Sequence, residues 1–233
     1  MSQNAQVTAP DEVALLRQID SPTLANAIEL LGVRNRNTGF CDRRMRQLTP
    51  EMGVLCGYAV TVQAVTDTAE PCSREAGVEK YLQVCEALRT APKPAVVVIQ
   101  ELGDRPRRSA HIGEVLATLF QRFGALGVVS DSAVRDMAEL RGLGFQAFAP
   151  GTVASHANFR LEGVQVPVQV CGMLVRPGDL LHGDENGLIN VPSQDRERLP
   201  KLADRVRAKE KLVLDYLKGE EVTLEGIRER LTH

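Results

Sequence analysis

GDRPRRSAHIGEVLATLFQRFGALGVVSDSAVRDM, residues 103–137, alternates polar loop, helical stripe, short apolar run and turn, and that alternation decides the class of fold. The apolar run Ala95 to Ile99 precedes it and reads as a buried strand. Ile112, Val115, Leu116, Leu119 and Phe123 then fall at helical spacing, and Gly124 is placed to close that helix. Gly127 to Ser130 reads as a second short strand. Asp131 and Ser132 supply capping chemistry for a further helix from Ala133 to Arg141. Two successive strand-to-helix turns in right-handed crossovers open at one edge of a parallel sheet, where α/β proteins usually hold ligands.

Residue types suggest what that edge could hold. Gly113, Glu114, Val115 and Leu116 fall in the first turn of the helix, where backbone N–H groups lack intrahelical partners and suit a small carboxylate. Gly113 permits a close approach, and Arg135 with Asp136 brings a cation and a hard oxygen ligand from the adjacent strand end. Asp136 with Glu114 could hold a largely hydrated Mg²⁺ or Mn²⁺. The same residues also permit a plainer reading, in which the two acids complement helix dipoles and Arg135 makes a surface ion pair.

The pair Gly113-Glu114, followed by GVVSDSAVRD at 127–136, resembles the signature of the RraA-like family, which includes metal-dependent 4-hydroxy-4-methyl-2-oxoglutarate aldolases. Those enzymes carry an acid, twenty intervening residues and then Arg-Asp, a spacing that Glu114 and Arg135-Asp136 reproduce. Glu114 stands where the family more often has Asp, and Ser132 where it often has Gly. Gly57, Ala59, Thr61 and Val62 are similar to the family's G-x-A-x-T-V element, and Pro177 to Pro192 to its P-G-D…G-D-x-x-G…P pattern. The resemblance runs from about Ser21 to Pro192. It implies an α/β fold of the swivelling β/β/α type with additional terminal helices, and a homotrimer or trimer-based hexamer with sites near subunit interfaces.

The rest of the chain gives ordinary structure. Residues 11–31 read as two helical pieces divided at Ser21-Pro22-Thr23, with Ser21 as a cap. Glu29 lies off the apolar stripe of the second piece. The resemblance implies an acid from this helix reaching a neighbouring subunit's site, while pattern alone gives a solvated charge. Thr38 to Glu51 is a basic loop with Arg43, Arg44 and Arg46, Gly53 to Val65 a strand, and Glu70 to Ala91 a helix. Val78, Tyr81, Leu82, Val84, Cys85 and Leu88 are the apolar positions of that helix. Phe145 to Gly151 reads as another strand, and Asn186-Gly187 as a hairpin turn. Arg105, Arg107 and Arg108 could meet a second substrate carboxylate or stay solvated, and His111 could move a proton. From Ser193 onward the pattern is helical, with Gly219 a stop and Thr223 a cap, so one domain is expected with its core over 21–192 and an extension over 193–233.

Composition bounds the partners. With 28 basic and 30 acidic residues and a net charge of −2, nothing favours a nucleic-acid partner, although local basic clusters could bind small anions. Five cysteines without a CxxC pair or zinc-like spacing read as idle thiols in a reducing compartment. No segment resembles a signal peptide or reaches membrane-spanning length, so a cytoplasmic location is expected.

The resemblance therefore implies a class II pyruvate aldolase acting on 4-hydroxy-4-methyl-2-oxoglutarate or 4-carboxy-4-hydroxy-2-oxoadipate in aromatic-compound catabolism, with oxaloacetate decarboxylation as a side activity. Arg135 would polarise the keto oxygen, Asp136 would position the metal and Glu114 would order its waters. A protein-binding regulator of ribonuclease activity, or an aldolase or decarboxylase for another 2-keto acid, are the alternatives.

Overall fold

The computed structural model describes residues 10–66, 74–103, 108–219 and 221–232. Two helices, α1 (Pro10–Leu16) and α2 (Ser21–Leu31), lead through a long loop to β1 (Arg46–Gln47) and β2 (Leu55–Thr66). Next come α3 (Arg74–Thr90), β3 (Ala95–Glu101), β4 (Ala110–Ile112), α4 (Glu114–Arg122), β5 (Ala125–Ser130), β6 (Ala133–Val134), α5 (Met137–Leu143) and β7 (Gln146–Ala149). The remainder is β-rich up to two closing helices: β8 (Phe159–Val164), β9 (Val168–Val170), β10 (Met173–Val175), β11 (Leu180–Asp184), β12 (Gly187–Val191), α6 (Leu199–Leu217) and α7 (Leu224–Thr232).

One eight-stranded sheet runs β1-β7-β5-β3-β2-β11-β12, with β8 also paired to β2. Its centre, β7-β5-β3-β2, is parallel, as the three crossovers through α3, α4 and α5 require, and its flanks are antiparallel. Successive side chains of β3 go to opposite faces. Val97 and Ile99 join the layer packed by α3, α4 and α5 through Leu88, Phe120 and Leu140. Val96 and Val98 join Val168, Val170, Met173 and Val175 of the β9–β10 hairpin, which covers the other face. Helix, sheet and hairpin thus stack as α, β and β layers. A third apolar cluster ties α1, α2 and α6 to the β11–β12 flank through Leu16, Leu24, Leu180 and Leu202.

Several local expectations are corrected. Ile112 belongs to β4 rather than to the helix, and the break at Gly113 shifts the helical phase, so α4 buries Ala117 and Phe120 while Val115 is 80% exposed. On α3 the buried positions are Val84, Cys85, Ala87 and Leu88; Val78 and Leu82 face outward. Residues 133–134 form a strand, because the backbone there pairs in parallel with β4, and helix α5 begins only at Met137. Asp131 and Ser132 cap nothing. Asp131 Oδ1 accepts the Glu101 N–H at 2.7 Å, and the Ser132 hydroxyl donates to the Ser109 carbonyl at 2.7 Å.

At the start of α2 the capping carboxylate is Asp20, whose Oδ1 accepts from Thr23 N, because the Ser21 N–H is taken by Asp184 Oδ2 and its hydroxyl meets His182. The Thr223 hydroxyl accepts from Gly226 N at the head of α7, as expected, whereas the hairpin turn falls at Glu185-Asn186, one residue earlier than expected, because Gly187 already pairs with Asp184. Among the described residues no helix is long and apolar enough to cross a membrane.

Candidate functional site

The small ribbon of β4 and β6 delivers the residues singled out by the motif. Its parallel pairing puts the end of β4, with Gly113 and Glu114, beside the end of β6, with Arg135 and Asp136, and the Arg135 N–H closes the pair on the Ile112 carbonyl at 2.9 Å. Asp136 adopts a left-handed backbone (φ 56°), a conformation that Asp tolerates better than most residues. This turn carries its carboxyl back toward α4, where Oδ2 accepts the Glu114 N–H at 2.9 Å. Arg135 Nε lies 3.7 Å from the same oxygen, and both side chains keep more than a third of their surface exposed.

Gly113 is required by space, not by backbone angle, since its φ is −136°. A Cβ there would stand 2.4 Å from Asp136 Oδ2 and 2.9 Å from Arg135 Nε. The first turn of α4 therefore differs from the expected cradle of four outward amides. Asp136 occupies the Glu114 N–H, the first intrahelical bond runs from Ala117 N to the Gly113 carbonyl, and the Val115 and Leu116 N–H groups have no acceptor among the described residues. Asp136 Oδ1 and the Glu114 carboxylate are also without hydrogen-bond partners there, and among the described residues no group of three or more His, Cys, Asp or Glu side chains is placed to hold a metal ion.

Arg135, Asp136, Gly113 and Glu114 are thus brought together, with Val115 and Leu116 beside them. Glu29, on α2, makes an exposed ion pair with Arg36 at 3.3 Å. Arg108 is exposed, while Arg105 and Arg107 lie outside the described residues.

A second polar cluster was only glimpsed in the sequence, through His111. Its imidazole is fully buried, with Nε2 2.8 Å from Glu101 Oε2 and Nδ1 3.0 Å from Ser130 Oγ. Glu101 also accepts from Thr66 N at 2.7 Å, from Gly103 N at 2.8 Å and from the Thr66 hydroxyl. Burial alone would raise Glu101, yet His111 and the Thr66 and Gly103 donors hold its carboxyl below the ordinary glutamate range. Next to it, burial outweighs the Glu101 and Asp131 backbone N–H groups and pushes Asp131 up to about 6. The available signal was a glutamate ending the otherwise apolar strand VVVIQE, since a charge at such a place needs partners.

The Aldolase/RraA model of the RraA-like family matches residues 21–190. A protein of Halalkalibacterium halodurans provisionally named 4-hydroxy-4-methyl-2-oxoglutarate aldolase is 28% identical over 153 residues, 65% of this chain and 72% of that protein. One of Albidiferax ferrireducens with the same provisional name is 34% identical over 135 residues, 58% of this chain and 74% of that protein. The crystal structure of Streptomyces coelicolor RraAS2, described as an unusual member of the RNase ES inhibitor RraA protein family, shares the fold. It aligns with a TM-score of 0.65 at 23% identity over 90% of this chain and 97% of that one.

Proposed function

The chain belongs to the RraA-like family, and on that premise we propose that it is a divalent-metal-dependent carbon–carbon lyase. Its reaction is the class II aldol cleavage of 4-hydroxy-4-methyl-2-oxoglutarate or 4-carboxy-4-hydroxy-2-oxoadipate to pyruvate, with oxaloacetate decarboxylation as a side activity. The observation that carries this reading is the half-exposed cluster in which Asp136 bonds the Glu114 N–H beside the Arg135 guanidinium and the two open amides of Val115 and Leu116. Relatives named as aldolases of this substrate support it.

The residues fit a mostly hydrated Mg²⁺ or Mn²⁺ better than a dry cage. One open carboxylate oxygen on Asp136 with Glu114 close by meets the one or two protein ligands that Mg²⁺ commonly takes. Such an ion, when bound, would supply Lewis acidity toward the keto acid. In this reading the Val115 and Leu116 N–H groups hold the substrate carboxylate at the positive end of α4. Arg135 donates to the keto oxygen. As the C4 hydroxyl gives its proton to water and becomes a carbonyl, C3–C4 breaks and its bonding pair stays on C3, delocalised onto the keto oxygen as an enolate. That enolate takes a proton at C3 to become pyruvate, so a fixed guanidinium at the keto oxygen stabilises the developing charge. Loss of CO₂ from oxaloacetate leaves the same enolate. Asp136 orients Arg135 and the helix terminus, and Glu114 orders water at the mouth. A homotrimer or hexamer, with Glu29 reaching a neighbouring subunit's site, completes the proposal, together with a cytoplasmic role in aromatic catabolism.

Pyruvate release from 4-hydroxy-4-methyl-2-oxoglutarate and from oxaloacetate, with Mg²⁺, Mn²⁺ or EDTA, tests this directly. Turnover in metal should vanish in EDTA, and should fall roughly 10²–10³-fold in Arg135→Ala, the usual loss for one oxyanion donor; Asp136→Ala should be inactive. Absence of release from either substrate by folded, metal-supplied protein would remove the aldolase reading. A second reading, a protein-binding regulator of ribonuclease activity, draws on the description of the Streptomyces structure with this fold, and an activity that survives Asp136→Ala would favour it.

A further inference from the structure

A large cleft lies over the carboxyl ends of three consecutive parallel strands, and none of Gly113, Glu114, Arg135 or Asp136 lines it. Its floor is Glu101 at the end of β3 and Asp131 to Ala133 after β5; Pro150 to Val153 after β7 form one wall. The turn between β9 and β10 and the segment carrying Arg43, Arg44 and Arg46 form the others. The volume, about 880 Å³, falls within the range of small-molecule sites, and carboxyl strand ends are where open α/β sheets bind them.

Charge is distributed unevenly within it. Arg44 is spent on Asp42, with Nε at 2.9 Å from Oδ1 and Nη2 at 2.6 Å from Oδ2. Arg43 and Arg46 make no side-chain hydrogen bond or ion pair among the described residues, although β1 fixes the Arg46 backbone opposite Ala149. Two exposed arginines without an ion pair among the described residues therefore line one cleft. Of the two acids on the floor, Glu101 is saturated by its four donors, whereas Asp131 gives one oxygen to the Glu101 N–H and its Oδ2 meets no donor from another residue among the described residues. A partly buried acceptor without a protein donor is costly unless solvent or a ligand supplies one.

We propose that this cleft is a second ligand site for a small hydroxylated dianion, whose acidic oxygens meet Arg43 and Arg46 and whose hydroxyl donates to Asp131. A hydroxy-dicarboxylate and a polyol phosphate share that chemistry. The assignment is independent of the aldolase reading, because its residues are separate.

Calorimetric titration in EDTA, with L-malate, glycerol 3-phosphate, succinate and glycerol as probes, tests it. Malate or glycerol 3-phosphate should bind one per chain, and whichever binds identifies the source of the dianion; glycerol should not bind. Affinity should fall at least tenfold in the Arg43→Ala/Arg46→Ala double variant, with Arg43→Ala alone intermediate, and stay unchanged in Arg135→Ala. Malate should bind more tightly than succinate in the parent and equally in Asp131→Asn. Absence of binding by both hydroxylated dianions overturns the proposal. So does binding that survives the double substitution, or binding lost in Arg135→Ala, which would place the anion at the other edge. Equal affinity of the parent for malate and succinate overturns the role of Asp131.

Discussion

Glu101, the last residue of β3, and Asp136, two residues past β6, are both carboxylates at strand ends, and they differ in what their oxygens are given to do. Both oxygens of Glu101 are committed, to Thr66, Gly103 and His111, and its side chain is fully buried. Asp136 commits one oxygen to the Glu114 N–H, leaves the other open, keeps over a third of its surface in solvent and sits in a left-handed backbone. A charge that the fold satisfies completely has nothing left for a ligand, so it serves the fold. A charge held in place yet half satisfied keeps capacity for a ligand. His111 illustrates the point: as a histidine near the motif it invites a role in proton transfer, but the structure spends both ring nitrogens internally.

The strongest way to break this contrast is Glu101→Ala. The His111 ring, two backbone N–H groups and the Thr66 hydroxyl all lose their acceptor, at roughly 1–3 kcal/mol for each buried group left unsatisfied. Urea unfolding should show that loss, while the protein that remains folded keeps most of the proposed pyruvate release. A variant of parental stability that had lost activity would move Glu101 from support into the chemistry.

Gly113→Ala should do the reverse. Its extended backbone accepts alanine, so stability changes little, but the added methyl occupies the place of Asp136 Oδ2 and crowds Arg135. Displacing a charged pair by about 1 Å costs on the order of 10²-fold in rate. Steady-state kinetics beside a thermal melt separate the two effects, and an unchanged rate would show that the Asp136 contact at α4 is dispensable.

How far the sequence could show this contrast depends on the range of the interactions. Runs such as Ala95 to Ile99 and Gly127 to Ser130 announce strands because burial on both faces needs continuous apolar residues. Arg135, Asp136 and Glu114 were legible because two strand ends carry them to one place at a fixed spacing. The β4–β6 ribbon was hidden, being two or three residues long and dependent on a partner more than twenty residues away. Counting Ile112 into the α4 stripe gave Val115 an inward position that it does not have. The Thr66–Glu101–His111–Ser130 network joins four segments, and no local pattern reports a contact of that kind.

The smallest effect belongs to Asp131, which stands between the two extremes: one oxygen bonded, one open, and its carboxyl raised to about 6 by burial. A raised carboxyl holds its proton more tightly in the folded state than in the unfolded one, so between about pH 4 and pH 6 the native protein binds more protons. Stability from this group is therefore complete below the unfolded value of 3.8, and is lost as pH rises through the folded value. Glu101 has the opposite sign, since its lowered carboxyl gives stability above the unfolded value of 4.5 that disappears as pH falls through the folded one. Asp131→Asn keeps an oxygen for the Glu101 N–H and removes the titration. Its melting temperature relative to the parent should climb from pH 4 to pH 6 and stay level above pH 7. A shift of roughly 2–4 °C corresponds to about 1 kcal/mol in a chain of this size. A difference that is flat across this range would show that Asp131 is as well satisfied as Glu101, and the cleft above it would lose its open acceptor.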